Sequence, residues 1–133
     1  MNPDFIATWQ PRALALLRIV TAYLFIQHGT AKLLHIPHDP MFDGLPLLSL
    51  FGIAGVLEIV GGALVLLGWF TRPAAFILSG EMAVAYFMEH VRLGHPLSPM
   101  LNQGESAVLF CFIFLCLSIA GPGTWCIDKT TAR

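Results

Sequence analysis

Charge is what this chain has least of. Only 11% of its 133 residues are Asp, Glu, Lys or Arg, against about 25% in an ordinary soluble domain. Fifteen charged side chains cannot furnish a polar surface for a soluble 14.6 kDa fold, because a domain of that size keeps a large part of its surface in contact with solvent. An excess of positive charge is missing too. A formal net charge of -1 and a pI near 6.5 leave no basic footprint, and nucleic acid is excluded as a partner. Cysteine is equally sparse. Cys111, Cys116 and Cys126 are odd in number and have no C-x-x-C spacing, which excludes a closed disulfide framework and a thioredoxin-type dithiol. Cys111 and Cys116 also lie about 140° apart on a helix and cannot pair with each other.

What the chain has instead is apolar length. Hydrophobic residues make up 56% and mean hydropathy is +0.75. Four runs, at about 13–34, 51–71, 73–91 and 104–121, approach the roughly 20 residues that a hydrocarbon core demands of a helix. None shows the alternation of a transmembrane strand, so the backbone can be satisfied only by helices. Proline and glycine mark the edges. Pro11 precedes the first run, Pro73 opens the third, and Gly121-Pro122-Gly123 closes the fourth. The connection at 35–50 reads as a loop with one short turn, and the tight Thr71-Arg72-Pro73 link forces an antiparallel hairpin. Arg18 lies inside the first run and no small-residue cleavage site follows it, so that run is expected to remain as a helix rather than be removed as a signal peptide. The expected architecture is an all-α, single-domain integral membrane bundle of four helices, with antiparallel neighbours.

Arg12, Arg72, Lys129 and Arg133 fall on one side, and Lys32 and Arg92 on the other, which predicts cytoplasmic termini. Trp9, Trp69 and Trp125 lie near the ends of the runs on the same side, as interfacial anchors should.

Within the spans, ionisable residues are functional candidates by default. At about 1.5 Å of rise per residue, Arg18 and Glu81 lie about 9 and 13 Å deep, and the expectation is a structural ion pair. His28, Lys32, Glu58, His90, Asn102 and Glu105 fall in the opposite half, from Glu58 at about 20 Å deep to Lys32 at the far interface, and are the candidate ligand-binding set. His28 and Lys32, four apart, share a helix face. A histidine beside a carboxylate and a lysine exchanges protons near neutral pH and hydrogen-bonds a carbonyl, as a quinone head group requires. The alternative is polar glue that only fixes the bundle. His35-Ile-Pro-His38-Asp39 offers nitrogen and oxygen ligands, but Pro37 breaks their alignment and no metal is assigned.

Several segments together resemble the DoxX family. They are Phe25-Ile26-Gln27-His28-Gly29-Thr30-Ala31-Lys32-Leu33, Glu58-Ile59-Val60-Gly61-Gly62, the segment from Leu67-Gly68 to Thr71-Arg72, and Ser79-Gly80-Glu81 through Met88 with His90. Leu101-Asn102-Gln103-Gly104-Glu105 and Gly121-Pro122-Gly123 with Asp128 extend the resemblance over about residues 12–128. It implies a multi-pass protein of the bacterial inner membrane, with relatives linked to oxidative stress. The family name is shared with a membrane subunit of a thiosulfate:quinone oxidoreductase that works with a separate partner subunit. The resulting expectation is a redox-associated, quinone-facing subunit with a soluble or membrane redox partner protein. The alternative from another class is a non-enzymatic membrane scaffold that docks a soluble partner. His35 and His38 stand outside the family pattern.

Overall fold

A computed structural model describes residues 2–128. Four α-helices carry the chain: α1 (Pro3–Leu34), α2 (Leu50–Leu67), α3 (Thr71–Ala85) and α4 (Glu105–Ala120), with no strand among the described residues. α3 runs on through a π-helical turn, Tyr86–His90, and a 3-10 turn, Val91–Leu93. Another 3-10 turn, Pro40–Phe42, interrupts the loop between α1 and α2.

Local chemistry accounts for the boundaries, including those that differ from expectation. α1 begins ten residues before the apolar run. The Asn2 side chain accepts from Asp4 N at 3.0 Å, Pro3 occupies the first turn, and Asp4 faces the positive helix end. Pro11 therefore lies inside the helix, and its carbonyl accepts from Thr124 N at 3.1 Å. α2 starts where Ser49 Oγ caps Gly52 N at 3.1 Å. It stops at Gly68, four residues short of the expected hairpin, because Gly68 takes the left-handed conformation (φ 66°). Gly68 N and Trp69 N then close back onto Val65 O and Leu64 O.

α1 pairs extensively with α2, and α3 with α4, while α2 and α3 touch over a shorter length. Small residues permit the first pairing. A Cβ placed on Gly29 would lie 2.7 Å from Gly55 O, so the two backbones meet where side chains are missing. The core is Ala22, Phe25, Val65, Ala74, Ala75, Leu78, Met82, Phe114 and Leu117, with Phe25 edge-on to Phe114 at 4.8 Å. Large apolar side chains such as Leu16, Val20, Ile53, Val60, Phe76, Ile77, Phe112 and Ile119 point outward. So many bulky apolar side chains turned outward suit a lipid solvent. α1 and α2 are long and apolar enough to cross a membrane, and α4 is apolar but shorter.

Candidate functional site

The buried ionisable residues sort into separate groups. Arg18 is fully buried, yet it does not pair with Glu81 as expected. Its guanidinium donates instead to five carbonyls: Val65 O (2.8 Å), Leu66 O (2.6 Å), Pro122 O (2.9 Å), Thr124 O (3.3 Å) and Trp125 O (2.7 Å). The reason lies in backbone chemistry. The end of α2 and the irregular tail expose carbonyls without helical partners, and the five-donor fork of arginine answers both. Asp128 completes this end by accepting from Phe70 N at 2.8 Å and Thr71 N at 2.9 Å, which caps α3 from outside. Burial pushes the Asp128 carboxyl up. Hydrogen bonds from Thr71 and Phe70 and the Arg18 charge outweigh that effect and hold it below the usual carboxylate range. Arg72 donates to Ser118 O and Ile119 O at the end of α4.

The six-residue set expected in the other half divides three ways. Lys32 and Glu58 form an ion pair at 2.5 Å, with side chains only 12% and 2% exposed. His90 and Asn102 belong to a loop clamp. His90 Nδ1 donates to Asn102 O at 3.1 Å, while Asn102 Nδ2 donates to Tyr86 Oη (3.1 Å) and His95 O (3.2 Å), and Asn102 Oδ1 accepts from Gly104 N. Tyr86 Oη in turn donates to Pro96 O at 2.8 Å. His28 and Glu105 stay on the outer surface, His28 with its ring edge-on to Phe110 at 5.7 Å. Depth along the axes does not fix the direction in which a side chain points. Even His28 and Lys32, four apart, diverge: one meets α4 and the other reaches α2. In the loop, His35 and His38 both turn to Asp43, at 3.7 and 3.1 Å.

A groove of about 330 Å³ between α2 and α3 gathers what remains. Its walls are apolar and include Phe51, Ile53, Leu57, Ile77, Met82 and Met88, while Lys32, Glu58, Glu81 and Glu89 supply all its charge. Lys32 Nζ also lies 5.9 Å from the centre of the Phe42 ring. Glu58 Oε2 and both Glu81 carboxyl oxygens are buried without a hydrogen-bond partner. Burying such acceptors unpaired is costly, so they mark a place where a partner belongs. Glu89, beside Arg92 at 3.5 Å, falls in the π-helical turn. That i→i+5 turn advances less than the about 100° per residue of an α-helix, which swings Glu89 toward the face of Glu81. Glu81 and Glu89 were not among the expected ligand-binding residues. Their common face depends on the π turn, which leaves no signal in the sequence.

Apolar faces turned outward around buried ion-paired and orphaned polar groups define an all-helical membrane protein. The DoxX family model matches residues 13–91, and the chain belongs to that family. It is 48% identical over 126 residues to an uncharacterized protein of Haemophilus influenzae, covering 91% of this chain and 92% of that one. A Mycobacterium tuberculosis protein described as an uncharacterized membrane protein is 29% identical, covering 92% and 83% of the two chains. The inner membrane protein YphA of Escherichia coli is 28% identical, covering 90% and 91%. No solved structure matches the chain.

Proposed function

We propose that this DoxX protein is a multi-pass inner-membrane subunit that binds a quinone-class carrier in the α2/α3 groove and works with a redox partner protein. The observation that carries the reading is the base of that groove, where three buried carboxylate oxygens lack partners beside the Lys32–Glu58 pair. The residues suit such a ligand. Phe51, Leu57, Ile77 and Met82 offer flat apolar contact for a ring, and the groove lies among outward-facing apolar side chains, which gives an isoprenoid tail an exit to lipid. A bound carrier of this class takes up or releases electrons together with protons. Glu58 and Glu81 can hold or move those protons, Lys32 keeps Glu58 in place, and the apolar walls exclude water. His28 and His90 take no part, since neither lines the groove. Both termini are assigned to the cytoplasm. The sequence count of Arg12, Arg72, Lys129 and Arg133 against Lys32 and Arg92 supports this, with Lys129 and Arg133 outside the described residues.

The test is purification in mild detergent directly from membranes, solvent extraction, and mass spectrometry of the extract. A quinone-class molecule in stoichiometric amount is expected. An extract without one, with a soluble protein retained on the column, would replace this reading with that of a docking scaffold.

A further inference from the structure

We propose that the groove recognises the reduced, hydroxylic form of its carrier, a quinol, in preference to the quinone; this rests on the quinone-class reading above. Acceptors at the base of the groove lack donors. At the base of the groove Glu58 Oε2, Glu81 Oε1 and Glu81 Oε2 have no donor. The one cationic group of the groove, Lys32 Nζ, gives one of its three hydrogens to Glu58 Oε1 at 2.5 Å, lies 5.9 Å from the centre of the Phe42 ring and makes no hydrogen bond to Glu81. Neutral donors that would serve a carbonyl are elsewhere: His90 donates to Asn102 O, and His28 sits against Phe110.

A quinone head carries lone pairs only and would bring more acceptors to a site already rich in them. A quinol hydroxyl donates. The preference belongs to the ionised Glu81 carboxylate, which can only accept; a protonated Glu81 would offer its O–H to either form. A hydrogen bond to a charged acceptor in a water-poor site is worth about tenfold in affinity or more, which sets the size of the preference. Glu81 is then the residue that reads the redox state of the ligand. It makes no other hydrogen bond, so replacing it does not dismantle the fold.

The experiment titrates the purified full-length protein anaerobically, by calorimetry, with a short-chain benzoquinone and separately with its quinol. Wild type is expected to bind the quinol about tenfold more tightly. Glu81→Gln keeps the shape but exchanges one acceptor oxygen for an N–H₂ donor, and should bring the two forms within about twofold at unchanged melting temperature. Wild type binding the quinone as tightly as the quinol, or more tightly, would overturn the inference while leaving the quinone-class reading in place. So would a full quinol preference surviving in Glu81→Gln. If neither form binds to wild type, the quinone-class reading falls and the inference with it.

Discussion

Replacing Arg18 probes the end of the molecule opposite the groove. Arg18→Met keeps the side chain's approximate length and removes every donor, which strands the carbonyls of Leu66, Pro122, Thr124 and Trp125 and leaves Val65 O with Gly68 N alone. At about 1 kcal/mol for each of the four acceptors left unpaired, the loss is about 4 kcal/mol, reduced to about 2–3 kcal/mol where water reaches the carbonyls on the tail side. Arg18→Lys keeps the charge but offers three donors from one point, which cannot span the α2 end and the tail together, so it should recover less than half of the loss. Thermal unfolding in mild detergent measures the stability. A second readout reports the tail itself. Cys126 packs against Gly68 beside Arg18, and its thiol donates to Gly123 O at 3.3 Å. With Cys111 and Cys116 replaced by alanine, Cys126 should react slowly with a maleimide in the Arg18 parent and many times faster in Arg18→Met. An unchanged melting temperature with slow labelling in Arg18→Met, or full stability in Arg18→Lys, would refute the carbonyl cage as the anchor of the tail.

Other consequences follow from the same contacts. Asp128→Ala removes both bonds that cap α3 and should cost about 1 kcal/mol in detergent melting. Because the folded state holds the Asp128 carboxyl below its ordinary range, its stabilisation is fully present above that range and is lost as pH falls from there through the lower folded-state value; Asp128→Ala should therefore lose less stability than wild type on acidification, as a pH series of melting curves would measure. Asn102→Ala undoes the clamp on Tyr86, His95 and Gly104 and should cost about 1–3 kcal/mol, with faster amide exchange confined to residues 94–104. Reporter fusions after Arg133 and within residues 39–46 should report a cytoplasmic tail and an external loop, and an external tail would reverse the orientation.

The helices were legible because apolar length and edge residues act locally. Gly121 closes α4 as expected through its own backbone, whereas Gly68 ends α2 four residues before the expected edge. Pro11 misled because the cap at Asn2 and Pro3 lies beyond the apolar run, and nothing in composition says that a helix continues past a proline. The Lys32–Glu58 pair lay within the expected set, since both residues are ionisable groups inside apolar runs. The partnership of Arg18 was not legible. Its acceptors are backbone carbonyls of Val65, Leu66 and a tail more than a hundred residues away, and carbonyls carry no residue signature. Likewise the directions of His28 and Glu89 depend on helix rotation and on the π turn, which only packing decides.

The location of the ligand site is the claim on which the functional account stands, and photoaffinity labelling tests it most directly. A photoreactive quinone analogue, crosslinked to the protein in native membranes and mapped by peptide mass spectrometry, should mark residues 50–58 and 77–89, the two walls of the groove. Ala54→Trp, which fills the groove, should abolish that labelling while the protein remains folded. Labelling concentrated instead at the opposite end, in the open cavity lined by Thr71, Arg72 and Gly123, or labelling that is undiminished in Ala54→Trp, would contradict the account.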